Sequence, residues 1–199
     1  HADQVEFGVK SNLFSDRLNA TISYYGIKVS NVVTGDPTNI HNSLQGGKVE
    51  SKGFEIDLSA SPVQGLNIIA GFSHNESKVV DGDEGNVWLE TGRRPIYSGP
   101  SDLINAWATY KIKSGRLSGL GLGFGGNYVS HLNILDSKVT GTFTLPSYTI
   151  LNAAVFYDTS NFRIALNVNN LYDKQYFTGY STINPQKPRN AVVSVAYRF

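Results

Sequence analysis

The chain has 199 residues, of which 17% are charged and 12% aromatic, with 20 glycines, no cysteine, no methionine and a formal net charge of +1. Seventeen basic residues against 16 acidic ones, with no run of like charge, exclude a general nucleic-acid footprint. The lack of cysteine excludes disulfides, zinc–thiolate centres and thiol nucleophiles. No apolar run reaches the length of a transmembrane helix, and the sequence opens at His1 without a basic and apolar leader. It therefore reads as a mature or excised piece of a longer product.

In chain order, Val5, Phe7 and Val9 alternate with Glu6, Gly8 and Lys10, and Ser15-Asp16 makes a tight turn. Leu18, Ala20, Ile22 and Tyr24 then alternate with Asn19, Thr21, Ser23 and Tyr25. A loop rich in Gly, Asn, Thr and Pro is expected over 32–47. Phe54, Ile56, Leu58 and Ala60 alternate with Glu55, Asp57 and Ser59, and after the turn 61–65 the series Leu66, Ile68, Ala70 and Phe72 follows. A second long loop is expected over 77–100, followed by a strand over 102–113 and a Ser114-Gly115 turn. Leu120, Leu122, Phe124 and Tyr128 alternate with Gly121, Gly123, Gly125 and Asn127. After a third loop at 130–146, Leu151, Ala153, Val155 and Tyr157 form a strand, Thr159-Ser160-Asn161 turns, and Phe162, Ile164, Leu166 and Val168 form another. A fourth loop, 170–188, leads to a closing strand in which Ala191, Val193, Val195, Tyr197 and Phe199 share one face.

This is a count of about nine strands, all of period two and none of helical period. Short turns alternate with long loops, which soluble meanders seldom do. The pattern predicts an all-β fold: an antiparallel up-and-down transmembrane β-barrel segment with short periplasmic turns and long extracellular loops. Phe14, Phe72, Tyr110, Tyr128 and Tyr157 suit interfacial girdles, while the polar face, with Glu55, Asp57, Arg163 and Asn167, must meet water or protein. A closed antiparallel ring needs an even strand number, so nine strands predict an arc of a larger barrel.

Several stretches resemble one family. Glu6-Phe7-Gly8-Val9-Lys10 with Leu18 to Tyr25 is similar to the first of the hairpins of TonB-dependent receptors, and Ser51-Lys52-Gly53-Phe54-Glu55 with Gly65-Leu66 to a second. Asn167-Val168-Asn169-Asn170-Leu171-Tyr172-Asp173-Lys174-Gln175-Tyr176 resembles their N-x-x-N-L-(F/Y)-D-x-x-Y segment, and Phe199 closes the chain as theirs does. Among them the siderophore receptors are the subgroup it resembles. The resemblance implies a 22-stranded barrel with a plugged lumen, of which residues 1–199 would be the C-terminal portion, without plug, TonB-contacting segment or earlier strands. It also implies uptake of a ferric siderophore or similar small chelate driven by the TonB complex, contact with outer-membrane lipid and lipopolysaccharide, and recognition of the last strand by the barrel assembly machinery. It implies no cofactor and no enzyme.

The candidate ligand residues lie in the expected external loops. Trp88, Arg93, Arg94 and Tyr97 combine cationic and aromatic groups suited to anionic, flat-faced chelates. Tyr176 and Tyr180 belong to the fourth loop. An interfacial aromatic belt, with the arginines on loop carboxylates or lipid phosphate, is the plainer account of the same residues. The acidic run 81–86 lacks the spacing of a calcium loop and reads as a solvated turn. His41, His74 and His131 share no ligand spacing, and Glu55 and Asp57 read as lumen-lining carboxylates. Gly121, Gly123 and Gly125 sit inside a strand with no helix after them, so they read as a lumen-side strip leaving room for something packed against it. No nucleophile motif is present. The alternatives are a small self-contained outer-membrane pore or adhesin barrel, a soluble all-β carbohydrate-binding module, and an outer-membrane hydrolase, which would need a Ser–His pair not found in the sequence.

Overall fold

The structure, a computed structural model, describes residues 1–199 except Pro37, Ile40, Glu84, Gly85 and Ser181. In chain order the strands are β1 (Ala2–Leu13), β2 (Leu18–Gly35), β3 (Ser43–Ala60), β4 (Leu66–Asp81), β5 (Asp102–Lys111), β6 (Leu120–Val129), β7 (Leu132–Ser137), β8 (Gly141–Leu145), β9 (Tyr148–Asp158), β10 (Phe162–Asn169), β11 (Phe177–Thr178), β12 (Asn184–Pro185) and β13 (Asn190–Tyr197). Nine of them form one antiparallel sheet in the order β1-β2-β3-β4-β5-β6-β9-β10-β13, and β7–β8 and β11–β12 are separate ribbons. Among the described residues β1 and β13 each have one neighbour, so the sheet is open.

The period of two carries straight across the sheet. The row Val9, Ile22, Ile56, Phe72, Ile104 and Tyr128 is in direct register, and so is the row Tyr110, Leu122, Val155, Leu166 and Val193. That face is apolar and open, with Phe7 72% and Val193 68% exposed. The opposite face carries Glu6, Tyr25, Gly53 and Asn75 in one row. The apolar face ends at Tyr24, Phe54 and His74, and the next rows toward the long connections are charged, with Lys52 paired to Glu76 at 3.1 Å and Lys28 to Glu50 at 3.5 Å.

Two expectations about loops are corrected. Residues 32–35 and 43–47 do not form a loop but the ends of β2 and β3, paired as far as Gly35↔Ser43. The β-branched run Val32-Val33-Thr34 favours extension, and a bulge absorbs Asn31, whose φ is 56°. Likewise β4 runs to Asp81, so the second long connection starts at 82. At 18 residues, β2 and β3 are each about 60 Å long at the usual rise, well beyond a hydrocarbon layer of about 30 Å.

The glycine strip of β6 is filled by its neighbours. An indole from β5, Trp107, lies across it: a Cβ on Gly123 would stand 2.7 Å from its Cζ2, and one on Gly125 2.7 Å from its Cε3. The Phe156 ring of β9 covers Gly121, and the Arg163 guanidinium lies 4.4 Å above that ring. The room left by the glycines is taken up within the wall itself.

Because the nearest atoms to a Cβ on Gly123 belong to the side chains of Trp107 and Ala154, the strip has a direct test. Gly123→Ala is expected to destabilise by about 1–2 kcal/mol through overpacking, and to cost much less when combined with Trp107→Ala. A double-mutant cycle on urea unfolding in detergent measures the coupling; an additive cycle would show that the indole does not occupy the strip.

Candidate functional site

Up-and-down connectivity brings four connections, 36–42, 82–101, 130–147 and 170–189, to one end of the sheet. Connection 82–101 folds back onto the polar face. The Asn86 side chain accepts the Trp88 N–H at 3.1 Å, and Val79 pairs with Arg93 and Gly92 through its N–H and carbonyl, both at 2.9 Å. Leu89, 1% exposed, closes with Val49 and Val79 the hydrophobic cluster that roots the connection. Gly47 and Gly82 are needed there, since a Cβ on either would run into Leu89. Glu84 and Gly85 of the acidic run lie outside the described residues; of the rest, Asp81 pairs with Lys48 at 3.8 Å, and no group of three or more potential metal ligands occurs among the described residues.

The two arginines are engaged inside the protein. Arg94 donates through Nη1 to the Asn75 carbonyl and through Nη2 to Asn75 Oδ1, both at 2.9 Å, and through Nε and Nη2 to the Gly99 carbonyl at 3.3 and 3.2 Å. Asn75 in turn donates to the Tyr25 and Ser51 hydroxyls at 2.8 Å. Burial pushes the Arg94 guanidinium below its usual value, against the pull of Tyr25, Asp102 and Glu76. Arg93 donates to Asp136 at 3.1 Å, while its Nε is buried without a partner among the described residues.

The loops are also latched to each other. Glu90, 2% exposed, accepts the Lys138 N–H through both carboxylate oxygens at 3.0 and 3.1 Å. Burial raises its pKa, but the Ser137 hydroxyl, the Lys138 N–H and the charges of Lys138 and Arg93 outweigh that and hold the carboxyl below its ordinary range. In the fourth connection Asn170, 3% exposed and at φ 55°, accepts the Lys174 N–H at 2.8 Å and donates to the Lys174 carbonyl at 2.9 Å, and its own N–H donates to Asn152 Oδ1 at 2.9 Å. Asp173 accepts the Arg189 N–H at 2.7 Å. The Asn-Asn-Leu-Tyr-Asp segment thus ties both ends of this connection to the sheet.

Three of the candidate residues come together. The rings of Trp88 and Tyr180 are 5.8 Å apart, and Trp88 and Tyr97 line a cleft of about 350 Å³ against the projecting β2 segment 32–35. Burial, and the nearby Tyr180, raise the Tyr97 pKa, so its hydroxyl is a neutral donor. Tyr176 stands elsewhere, 4.6 Å from Tyr148, over a second cleft of about 580 Å³ that includes Asn127, Asn152, Asn190 and Lys187. Segment 176–180 borders both. Asn127, Tyr148 and Asn152 had a faint signal in sequence, as polar or aromatic residues on the polar face next to long connections. Glu90 and Asn170 had none as buried groups.

The β-barrel model of the TonB-dependent receptor-like family matches residues 1–171. The chain belongs to the TonB-dependent receptor family. It is 32% identical over 205 residues to the ferrioxamine B receptor of Salmonella typhimurium and 29% identical over 198 residues to the metal-pseudopaline receptor CntO of Pseudomonas aeruginosa, each match covering 98% of this chain. These matches cover 28% and 27% of the two relatives, so the chain spans little more than a quarter of their length. Among solved structures, the siderophore receptor PiuA of Acinetobacter baumannii superposes with a TM-score of 0.78 at 25% identity, covering 98% of this chain and 28% of that one. The ferric-catecholate import receptor Fiu of Escherichia coli does so with 0.79 at 21% identity, covering 100% and 27%. Both share the all-β antiparallel architecture.

The Glu90 latch has a definite pH sense. A carboxyl held lower in the folded chain contributes its full stabilisation above the ordinary value of about 4.3 and loses it as the pH falls through the folded-state value. The protection of the Lys138 to Thr140 amides, taken relative to their intrinsic exchange at each pH, is therefore expected to fall on acidification below about pH 4 and to be low already at neutral pH in Glu90→Ala. Exchange indifferent to both would remove Glu90 from this role.

Proposed function

We propose that residues 1–199 form the C-terminal arc of the barrel of an outer-membrane TonB-dependent receptor for a ferric siderophore or similar scarce chelate. The observation that carries this is the family match over 1–171 on a sheet with one apolar face, one polar face and its long connections gathered at one end. The open apolar face suits lipid, and the polar face suits a water-filled lumen or a plug, which the parent protein would supply with its TonB-contacting segment and remaining strands. A soluble carbohydrate-binding module would bury that apolar face, and a small self-contained barrel would pair β1 with β13; the described residues do neither.

In this reading the short turns are periplasmic and the long connections extracellular. The aromatic rim Trp88, Tyr97 and Tyr180 meets the chelate first by stacking, which draws on ring area and polarisability rather than charge. Tyr176 borders the deeper cleft. Arg93 and Arg94 position the loop. Outside, the groove of about 400 Å³ above the apolar face sets Lys28, Lys52 and Lys78 against Asp3, Glu50 and Glu76, with Lys28 paired to Glu50 and Lys52 to Glu76, so that Lys78 is the lysine it offers to lipopolysaccharide phosphate. The closing strand, with Val193, Val195, Tyr197 and Phe199 along one face, suits the barrel assembly machinery.

Deleting the gene of the intact receptor is expected to abolish growth on one chelate among a panel under iron limitation, with uptake requiring TonB; growth on every chelate would refute the reading. In the intact receptor, Trp88→Ala and Tyr180→Ala are each expected to weaken binding of that chelate by about 1–2 kcal/mol, a factor of about 5–30, as measured by equilibrium dialysis. Arg94→Ala is expected to loosen the loop, seen as new proteolytic cleavage within 82–101.

A further inference from the structure

We propose that the chelate taken at this mouth carries no net charge, and that neutral amide and phenol donors of the cleft under segment 176–180 hold its oxygens. The proposal rests on the receptor reading above and deepens it. The sequence offers Arg93 and Arg94 as counter-charges for an anionic chelate, but the structure uses both. The nitrogens of Arg94 face Asn75 and Gly99, and Arg93 is neutralised by Asp136. The four long connections are balanced overall: Asp36, Asp83, Glu84, Glu90, Asp136 and Asp173 stand against Arg93, Arg94, Lys138, Lys174, Lys187 and Arg189.

The cleft itself points the same way. Among the described residues its polar lining is mostly amides and phenols, with no carboxylate and with Lys187 as the one cation. Most of its polar groups are partnered: Gln186 donates to Thr178 at 2.7 Å, Asn169 to Asn190 at 3.0 Å, and Asn152 Oδ1 accepts the Asn170 N–H. Among the described residues, the groups left over are Lys187 Nζ, the Asn127 amide, Asn152 Nδ2 and the hydroxyls of Tyr148 and Tyr176. Apart from the one lysine these are neutral donors on a concave wall beside two rings 4.6 Å apart. A trianionic complex entering this space would lose hydration with one lysine to compensate it. An uncharged complex, whose three hydroxamate-type groups balance the ferric charge, presents carbonyl and oxyanion oxygens that such donors satisfy without counter-ions.

The test uses the intact receptor in detergent, with tryptophan quenching to follow an uncharged ferric trihydroxamate and a trianionic ferric tris-catecholate. The uncharged complex is expected to bind at least about tenfold more tightly. Its Kd is expected to hold constant as ionic strength rises from about 0.01 to about 0.15 M, which shortens the screening length from about 30 to about 8 Å. Asn152→Asp keeps the oxygen that accepts the Asn170 N–H but removes a donor and adds charge, and is expected to weaken the uncharged complex about tenfold. Tyr176→Phe, which leaves the packing of the ring intact, is expected to act in the same direction if the aspartate variant does not fold. Equal or tighter binding of the tris-catecholate, or a Kd that rises steeply with salt, overturns the proposal while leaving the receptor reading in place. Failure of both complexes to bind, with iron uptake unaffected by deletion of the gene, overturns the two together.

Discussion

The backbone ladder is the constraint on which the rest depends. From Ala2↔Val29 at one edge to Asn169↔Asn190 at the other, the nine strands meet their neighbours in antiparallel register. With a side-chain period of two, a slip of one residue in any pair would exchange its faces. That is why one row can run Val9, Ile22, Ile56, Phe72, Ile104, Tyr128 while the row beside it holds Gly8, Ser23, Glu55 and Ser73. In the proposed setting, a wall facing lipid would have no water to satisfy stray N–H and C=O groups, so complete pairing along the ladder would matter more than any side-chain contact. The register shifts in the nine-stranded sheet, between Ser30 and Val32, between Val32 and Val33 and between Lys48 and Val49, lie beyond the apolar rows, toward the long connections.

Past those rows the means of stabilisation changes. The connections cannot build a conventional core: the buried cluster is Val49, Val79 and Leu89. They are held instead by buried polar groups with complete or nearly complete partners. Asn170 satisfies both the N–H and the carbonyl of Lys174, Glu90 receives Lys138, and Arg94 spans Asn75 and Gly99. Such groups are stabilising only while paired, since removing a partner leaves a desolvated atom behind. The loops are thus directional assemblies, and the latches Glu90–Lys138 and Arg93–Asp136 join the second connection to the β7–β8 hairpin as one unit.

Most of the sheet was legible because alternation survives translation into a ladder without long-range information. Leu151 to Tyr157 and Phe162 to Val168 need only their own pattern to be read as a hairpin. The ends of β2, β3 and β4 were not legible, because Gly46, Gly47 and the polar residues around Val32 and Lys48 look like loop while their pairing comes from across the hairpin. The glycines of β6 read as empty space because the side chains that fill it, Trp107 and Phe156, belong to strands on either side. At the loop end, residue type singled out Trp88, Tyr97 and Tyr180 as candidates and the structure brings them together, but partnership decides roles there. Nothing in the sequence says that Asn75, nineteen residues before Arg94, accepts its guanidinium.

The division between arginines and aromatics follows from what each needs. A guanidinium gives rigid, directional hydrogen bonds, and it repays burial only when its acceptors are fixed. Asn75 sits on β4 within a network that includes Tyr25, Ser51 and Ser77, so it offers fixed acceptors; a chelate that comes and goes, as proposed above, would not. An indole or phenol ring asks less of its partner. Its attraction comes from area and a weakly polar face, it loses little conformational freedom on contact, and it needs no counter-charge when the ligand leaves. A loop of twenty residues with few apolar side chains therefore uses its arginines to hold itself and leaves Trp88, Tyr97 and Tyr180 facing outward. Under the reading proposed above, that allocation leaves a charge-balanced mouth suited to an uncharged cargo.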